Sequence, residues 1–262
     1  MHRRRIEEVS LNAWPALQHI LFDGWILRFS GGYTKRANSV NPLFDSSMDV
    51  DEKVDVCERM YAERGLPCVF RLTPFSSPPG LDRVLERRGY AKIDPTLVLY
   101  LDLEDHPVPP EPAAELHEER LDDWLALFCR LTESPEEKHQ THKEILHAIP
   151  GRRFLASLAD SGQVVACGVG VLENEYFGMF DIFTHPQHRN RGHGAGLVAG
   201  LLGWAREHGA TRAYLQVMRD NTPARRLYEK LGFGEAYVYW YRALRIDRAK
   251  GVRSAQVESS ER

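Results

Sequence analysis

A pair of glycines with basic neighbours stands where a strand-like pattern gives way to a helix-like one. Gly192 and Gly194 directly precede an apolar helical stripe, and Arg189 and Arg191 come just before them. Small residues allow a backbone to approach a phosphate closely, while the first N–H groups and the dipole of a helix favour negative charge. The sequence therefore predicts an anion-binding loop.

Two common phosphate-binding patterns fit this loop poorly. A Walker loop requires G-x-x-x-x-G-K-[ST], which the sequence does not contain, and a dinucleotide fingerprint would require glycine where Leu197 stands. Pro186, and an arginine three residues before the first glycine, are also foreign to a Rossmann turn, which is short and led by glycine. The predicted anion therefore belongs to another class of ligand.

The elements that must position the loop alternate along the second half of the chain. Short runs rich in β-branched and aromatic residues predict an antiparallel meander, and apolar spacing predicts a helix on either side of the next strand. The second of these helices opens with Thr222 and Pro223 and stops at Gly232. The predicted order is helices at 121–131 and 142–149, strands at 153–158, 164–172 and 176–184, a helix with its apolar face from Leu197 to Ala205, strand 213–218, the helix from Thr222, and strand 235–243.

The loop and the second helix together resemble a known family. Residues 189–195, RNRGHGA, resemble the R/Q-x-x-G-x-G/A signature of the GNAT superfamily of acyl-CoA N-acyltransferases. Residues 221–233 resemble its N-x-x-A-x-x-L-Y-x-x-x-G-F helix, and the resemblance covers about residues 115–244. It implies an α/β (α+β) fold, in which a mixed, mainly antiparallel twisted sheet is flanked by helices.

The resemblance implies acetyl-CoA as co-substrate and indicates where it would bind. Its pantetheine would lie along the end of the third meander strand, where two strands splay apart, and the N–H of Thr184 would hold the thioester carbonyl. The glycine loop would cradle the pyrophosphate, while Asn221 would lie near the pantetheine or fix a bulge in the strand. The implied cofactor-binding residues are Ile182, Phe183, Thr184, Arg189, Asn190, Arg191, Gly192, His193, Gly194, Ala195 and Asn221.

Two catalytic roles also follow from the resemblance. Tyr228 would protonate the departing thiolate, although its position on an apolar helix face would by itself indicate a core tyrosine. Asp181 is the candidate base for the attacking amine. Glu173, Glu175, His185 and a chain of waters are alternatives, since the family has no fixed position for this group.

A sequence pattern in the first half of the chain recurs in the second half. When Gly89-Tyr90 is aligned with Gly232-Phe233, residues 70–90 fall on residues 213–233. Strand, proline-started helix, Gly-aromatic stop and strand then recur in the same order. We therefore predict two tandem lobes of related fold.

The first of these lobes is predicted to be a degenerate copy that packs on the active one. In the alignment Leu85 takes the place of Tyr228, and Pro78 takes that of Asn221, so the catalytic set is lost. Polar side chains of this lobe that could line the acceptor cleft, if they are not an ordinary strand face, are Arg36, Asn38 and Ser39.

Proline marks the predicted boundary between the lobes. Four prolines fall within residues 104–112, where they remove helical propagation and ladder donors. The predicted organisation is a degenerate GNAT-like lobe at 1–103, a proline-rich linker at 104–112, an N-acetyltransferase domain at 113–245 and a flexible tail at 246–262.

Composition and charge argue against several classes of protein. The chain has 34 Lys and Arg residues against 37 Asp and Glu, a net charge of -3, so it lacks the basic field that holds a nucleic acid. No apolar run approaches the ~20 residues that cross a bilayer. The cysteines are scattered, and His185, His188 and His193 lack the spacing of a metal site. We expect a cytoplasmic protein without a metal and without nucleic-acid or membrane partners.

The function predicted from these features is acetyl transfer from acetyl-CoA to a primary amine of a small molecule or peptide, by direct attack in a ternary complex. A non-catalytic acyl-CoA-binding sensor or scaffold is the main alternative, and a histone-type acetyltransferase is a third. The sequence leaves open the acceptor, the length of the acyl group, and whether the protein is a monomer or a homodimer.

Overall fold

The structure, a computed structural model, describes residues 3–104 and 115–244. Its helices are α1 (Arg3–Ala13), α2 (Val50–Ala62), α3 (Leu81–Arg87), α4 (Leu121–Thr132), α5 (Gln140–His147), α6 (His193–Glu207) and α7 (Thr222–Lys230). Its strands are β1 (Gln18–Phe22), β2 (Trp25–Phe29), β3 (Val40–Pro42), β4 (Val69–Leu72), β5 (Tyr90–Asp102), β6 (Glu115–Glu118), β7 (Arg152–Asp160), β8 (Gln163–Glu173), β9 (Tyr176–Thr184), β10 (Arg212–Met218) and β11 (Gly234–Leu244). The predicted linker beyond Glu104 and the predicted tail at 246–262 lie outside the described residues.

The chain packs into two compact units, and each unit draws on two stretches of sequence. Unit 1 contains Met1–Pro15 and Val98–Ala236, and unit 2 contains Ala16–Leu97 and Tyr237–Arg262. Helix α1 therefore belongs to the unit that carries the glycine loop, and most of β11 belongs to the other unit. Each predicted tandem lobe is one continuous stretch of sequence, whereas each unit draws on two stretches. The common origin of the lobes stays a prediction.

Unit 1 is built on a mixed, mainly antiparallel sheet. Its strands lie in the order β5, β10, β9, β8, β7, β6; the neighbours from β9 to β6 are antiparallel, and β9 and β10 run parallel. Ser161 and Gly162 join β7 to β8 with φ of 53° and 78°. Positive φ at both central residues gives the turn whose twist matches that of the strands. The predicted meander is confirmed.

Helices cover both faces of the unit 1 sheet. Phe177 lies 5.8 Å, between ring centroids, from Trp204 of α6, whereas Phe180 lies 5.6 Å from Trp14, just after α1. Successive strand residues alternate between faces, so Phe177 and Phe180 point to opposite sides. Trp204 also stacks on Phe154 of β7 with centroids 4.8 Å apart. The apolar face of α6 therefore packs on one side, and α1 packs on the other.

Unit 2 contains five neighbouring strands and its own apolar core. Its strands lie in the order β1, β2, β3, β4, β11, and all neighbours are antiparallel except β3 and β4. Helix α2 presents Val54, Cys57 and Tyr61, which are fully buried, at the spacing of one helical face. They pack in one apolar cluster with Trp25 and Phe70 from the strands.

Charged hydrogen bonds hold the last strand in unit 2. Arg242 of β11 donates from Nε and Nη2 to the two carboxylate oxygens of Asp82 on α3, at 2.8 and 3.0 Å. Its Nη1 donates to the carbonyl of Tyr90 at 2.9 Å, and Trp240 Nε1 donates to Asp82 at 2.8 Å. These bonds hold the pKa of Asp82 below its ordinary value, with the bond from Arg242 as the largest cause.

The local features behind the predicted sequence repeat occur in both units. Gly89 and Gly232 follow α3 and α7 with φ of 86° and 89°, the left-handed conformation common after a helix. Each is followed by a buried aromatic residue, Tyr90 or Phe233, and then by a long strand. The predicted order of helix, glycine, aromatic residue and strand is therefore present twice.

The polar residues suggested for the acceptor cleft lie in unit 2. Asn38 is 7 % exposed, and its amide binds its own loop: Oδ1 accepts from the N–H groups of Ser30 (2.7 Å) and Gly32 (2.9 Å), and Nδ2 donates to the carbonyl of Thr34 (2.8 Å). Ser39 is fully buried. Asn38 therefore fixes a loop. Arg36 lies in the short 3₁₀ turn Lys35–Ala37.

Helix α1 and the short strands β1, β3 and β6 were not predicted from the sequence. Arg5 lies within α1, and its Nη2 donates to Glu173 at 2.9 Å. The three short strands have too few residues for a clear period of two. No helix in residues 3–104 or 115–244 is long and apolar enough to cross a membrane.

The bond between Asp82 and Arg242 predicts a stability change that depends on pH. Asp82→Asn should lower the free energy of unfolding at pH 7 by about 1–2 kcal/mol, a value reduced by the partial exposure of Asp82. The pKa of Asp82 in the folded protein lies below its ordinary value. The stabilisation that Asp82 provides is therefore complete above its pKa in the unfolded chain, about 4, and is lost as the pH falls through its pKa in the folded protein. Urea denaturation of both proteins from pH 7 to pH 3 measures the difference.

Glu86→Gln is the matched control for this experiment. Glu86 accepts from the same guanidinium at 3.3 Å, but its side chain is 67 % exposed, so its loss should change stability by less than about 0.5 kcal/mol. Equal effects of the two substitutions would show that Asp82 does not anchor the strand.

Candidate active site

Strands β9 and β10 separate part of the way along unit 1. Their parallel register runs from Arg212 opposite Tyr176 to Leu215 opposite Met179. Strand β9 continues to Thr184 and β10 to Met218, beyond the paired stretch. The predicted gap between two splayed strands is present, and one of its sides is the end of β9.

A bulge in β9 accompanies the separation. On the side of β8 the register passes from Cys167 opposite Phe183 to Val169 opposite Phe180, so three steps along β9 match two along β8. Asp181 lies in the extra segment with φ of 50°, a left-handed conformation that is uncommon for a residue with a side chain. The bulge bends β9 and redirects the residues that follow it.

The end of β9 directs the backbone of Thr184 toward the gap. His185 N–H donates to the carbonyl of Val165 at 2.9 Å, so His185 and Val165 form a hydrogen-bonded pair next to β8. Hydrogen-bonded and non-hydrogen-bonded pairs alternate along antiparallel strands. The next pair, Thr184 and Ala166, is therefore of the second kind, and the N–H and carbonyl of Thr184 point away from β8, into the gap.

The glycine loop joins β9 to α6. The short 3₁₀ turn Pro186–His188 follows the strand, and Arg189 Nε donates back to the carbonyl of Thr184 at 3.1 Å. Asn190 and Gly192 have φ of 61° and 86°, and Gly192 is the N-cap of α6. The first N–H groups of α6 have no partner within the helix, so their partial positive charge faces the loop.

Gly192 and Gly194 are needed for different reasons. A Cβ on Gly192 would meet no atom within 4 Å, so the space beside it is open, but its φ is one that only glycine adopts freely. A Cβ on Gly194 would lie 3.3 Å from Thr184 Oγ1 and 3.5 Å from Leu227 of α7. Gly194 therefore lets α6, β9 and α7 come close together, and Gly192 shapes the open loop.

The remaining predicted loop residues differ in exposure. Asn190 and Arg191 are exposed, Ala195 is half-buried, and His193 Nε2 lies 3.4 Å from Asp160 Oδ2. The guanidinium of Arg189 lies 5.8 Å from the ring centre of Phe183. A Cβ added to Gly168 of β8 would lie 2.6 Å from the side chain of Ile182 and 3.4 Å from that of Leu197 in α6. The side chain of Ile182 therefore lies on the α6 side of the sheet.

Helix α7 carries two of the predicted site residues. Asn221, not Thr222 as predicted, is its N-cap: its side-chain oxygen accepts from Ala224 N–H at 3.3 Å, and Pro223 occupies the second position. Tyr228 is 6 % exposed and follows Leu227, whose side chain faces Gly194. Burial raises the pKa of Tyr228 to about 12, so the hydroxyl keeps its proton at neutral pH.

Asp181 has a partner that the sequence analysis did not identify. His142 Nε2 lies 2.8 Å from Asp181 Oδ2, and its ring is 1 % exposed. His142 shares one face of α5 with Ile145 and Leu146, which are fully buried. A histidine in an apolar helical stripe is the signal that could have identified it, because a buried imidazole needs a polar partner.

The other candidate bases are engaged elsewhere. Glu173 accepts hydrogen bonds from Arg5 and Asn12, and Glu175 accepts one from Arg212 at 3.1 Å. Both lie at the far end of β9 from Thr184, and at about 3.3 Å per residue the strand spans roughly 26 Å between these ends. His185 Nε2 lies 3.9 Å from Glu133 Oε1. Asp181 is the candidate that stands in the bulge.

The thiol of Cys167 and the histidines near the loop also lie in unit 1. Cys167 is buried in β8, and burial raises the pKa of its thiol, so it is a poor nucleophile. Within residues 3–104 and 115–244 no group of three His, Cys, Asp or Glu side chains is arranged to hold a metal ion.

Comparisons with known proteins show which family the chain resembles. The family model described as "Probable histone acetyltransferase Rv0428c C-terminal" matches residues 2–242. The "Uncharacterized N-acetyltransferase YobR" of Bacillus subtilis is 30 % identical over 246 residues, which cover 92 % of this chain and 98 % of that protein. The "Aminoglycoside N(6')-acetyltransferase type 1" of Acinetobacter baumannii is 28 % identical over 129 residues, 46 % of this chain and 88 % of that protein.

A solved structure shows the same fold over nearly the whole chain. The "GCN5-related N-acetyltransferase from Kribbella flavida" superposes with a TM-score of 0.70 at 17 % identity, covering 95 % of this chain and 97 % of that one. Since the family model spans both units and the site has a splayed strand beside a glycine loop, the chain belongs to the Rv0428c C-terminal family and is an N-acetyltransferase of the GNAT superfamily.

Proposed function

We propose that the protein transfers an acetyl group from acetyl-CoA to a primary amine of a small molecule or peptide, by direct attack while both substrates are bound. GNAT N-acetyltransferases use acetyl-CoA as co-substrate. The observation that carries the proposal is the gap between β9 and β10, which faces the backbone of Thr184 and ends at the glycine loop.

The residues around the gap fit the two ends of acetyl-CoA. The open space at Gly192, the N–H groups of the first turn of α6 and the exposed Arg191 suit a pyrophosphate. The N–H of Thr184 suits the thioester carbonyl, where it would donate to the oxygen as negative charge develops. Asn221 caps α7 and so fixes the start of the helix that carries Tyr228.

Asp181 is proposed as the base for the attacking amine, and Tyr228 is proposed as the acid for the departing thiolate. Acetyl-CoA supplies an acetyl group activated as a thioester. Asp181 accepts the proton that the amine nitrogen loses as its bond to the acetyl carbon forms. Tyr228 donates its hydroxyl hydrogen toward the sulfur as the carbon–sulfur bond breaks, and its pKa of about 12 keeps that hydrogen in place at neutral pH.

Two features bear on the amine acceptor. The relative from Acinetobacter baumannii is named for acetylation of aminoglycosides, and the family model is named for a probable histone acetyltransferase, so small-molecule and protein amines both have a precedent. The carboxylate of Asp181 is 20 % exposed and would attract a cationic amine. The comparisons name N-acetyltransferases and do not favour a non-catalytic sensor.

A direct test of the proposal starts with the co-substrate. Isothermal titration of the purified protein with acetyl-CoA should give saturable one-to-one binding, and amines from aminoglycosides to peptide N-termini can then be screened by thiol release. Absence of binding at millimolar acetyl-CoA would contradict the proposal. Binding without thiol release for any amine would favour the sensor alternative.

Gly192→Ala should weaken acetyl-CoA binding at least tenfold. A Cβ at a φ of 86° strains the loop and occupies the open space beside it. Gly209→Ala is a matched control, because Gly209 follows the other end of α6 with φ of 90° and equally open surroundings. Both variants should lose similar thermal stability, but only the first should lose affinity in a titration. Equal affinity of the two variants would remove Gly192 from the binding site.

Tyr228→Phe should lower kcat by about tenfold to a thousandfold while the Kd for acetyl-CoA stays within about twofold, because only the hydroxyl is lost. Tyr176→Phe, at the far end of β9, serves as control and should leave kcat unchanged. Steady-state kinetics and titration of both variants measure the effect. An unchanged turnover for Tyr228→Phe would exclude its hydroxyl from the reaction.

Asp181→Asn should reduce kcat by about 10²- to 10⁴-fold with little change in acetyl-CoA affinity, because the amide cannot accept the amine proton. Glu175→Gln is the control carboxylate, placed at the start of β9 and bonded to Arg212. If both variants turn over like the unmodified enzyme, the proton of the amine leaves by another route.

A further inference from the structure

The pair formed by His142 and Asp181 is unequal in exposure. The His142 side chain is 1 % exposed and that of Asp181 is 20 % exposed, although their Nε2 and Oδ2 atoms lie only 2.8 Å apart. Only the carboxylate can therefore reach a substrate. The imidazole lies behind it, inside unit 1.

Aromatic rings enclose the imidazole. The ring centroid of His142 lies 5.6 Å from that of Trp14, 5.9 Å from Trp124 and 5.2 Å from Phe128. Trp124 also donates from Nε1 to the carbonyl of Ala156 at 3.1 Å, which fixes that wall to β7. Close packing on several sides holds the imidazole in one orientation, so the direction in which Nε2 points is set by the core.

Asp181 needs such support because its backbone is unusual. It stands in the bulge of β9 with φ of 50°, and residues with a side chain hold this conformation only where their surroundings fix it. A carboxylate on a bulge can rotate about χ1 and χ2. A hydrogen bond to one of its oxygens restricts that rotation and fixes the direction of the other oxygen.

We propose that His142 is a positioning residue for acetyl transfer: its Nε2–H donates to Asp181 Oδ2 and holds the carboxylate so that Oδ1 accepts the proton of the amine. This inference rests on the proposed role of Asp181 as the base. The imidazole does not touch either substrate, and its contribution is to orient the carboxylate and to stabilise the form that accepts a proton.

Titratable side chains of the turn before α5 and of β8 lie near the pair. His139, in the turn before α5, lies 5.7 Å from His142 between ring centroids, and burial lowers its pKa. The Cys167 thiol of β8 faces Asp181, and burial raises its pKa, so it stays neutral at working pH. Lys138 acts on His139 from the same turn. The pH profile of a His142 variant is therefore compared with that of a His139 variant.

Two substitutions at His142 test the proposal. His142→Phe keeps an aromatic ring and removes the donor, whereas His142→Gln keeps a donor. We expect His142→Phe to lower kcat by about 10- to 100-fold, to leave the Kd for acetyl-CoA within about twofold, and to move the acidic limb of kcat/KM to higher pH. His142→Gln should recover part of kcat and return the limb toward its original pH.

The matched control is His139→Phe. His139 is 6 % exposed, packs against Phe128 at 5.4 Å, and bonds to Ser134 Oγ at 2.8 Å, so its substitution disturbs the same core without touching Asp181. It should lose similar thermal stability while the pH profile stays unchanged. An unaltered kcat and pH profile in a folded His142→Phe enzyme, or the same profile shift in His139→Phe, would overturn the positioning role.

The outcome for Asp181 separates this inference from the proposed function. If Asp181→Asn loses activity while His142→Phe behaves like the unmodified enzyme, Asp181 is the base and His142 is only a core residue. If Asp181→Asn is fully active, the role of Asp181 fails and the positioning role fails with it, although acetyl transfer itself stands.

Discussion

The structure of the candidate site depends on the separation of β9 from β10. Parallel strands normally continue their hydrogen bonds to the end of the shorter strand, and here the pairing stops at Leu215 and Met179. The bulge at Asp181 bends β9 beyond this point, so the backbone of Thr184 faces a gap instead of a neighbouring strand. Arg189 bonds the carbonyl of Thr184 in place of a neighbouring strand, and the N–H of Thr184 lies on the side of the gap.

The same bend explains why the other parts of the site meet where they do. The end of β9 is held by Arg189, which donates to the carbonyl of Thr184, and by the close approach at Gly194. Helix α6 then starts at the gap, and α7 packs beside it through Leu227. One local irregularity in a strand thus fixes the glycine loop, the end of β9 and the start of α6 relative to each other within unit 1.

The sequence could predict the parts of this site that have a local signature. The glycine loop, the meander and the cap of α7 are recognisable because turn residues, alternation and capping each involve a few neighbouring positions. The cap was misplaced by one residue, since Asn221 and Thr222 are both good caps and only the backbone decides between them. The contact between His142 and Asp181 joins positions 39 residues apart and leaves no local pattern. The short strands β1, β3 and β6 and the assignment of α1 to unit 1 also depend on distant contacts.

The composition of the two units has a consequence for synthesis on the ribosome. Trp14 of unit 1 is synthesised early. Its ring packs against His142 of α5 and Phe180 of β9, which are synthesised much later. Most of unit 2 is made early, yet β4 lacks its neighbour until β11 leaves the exit tunnel. Neither unit can therefore be completed before residue 236 has been made, although domains usually fold in order from the N-terminus. We expect the nascent chain to hold an exposed edge at β4 until β11 has been made.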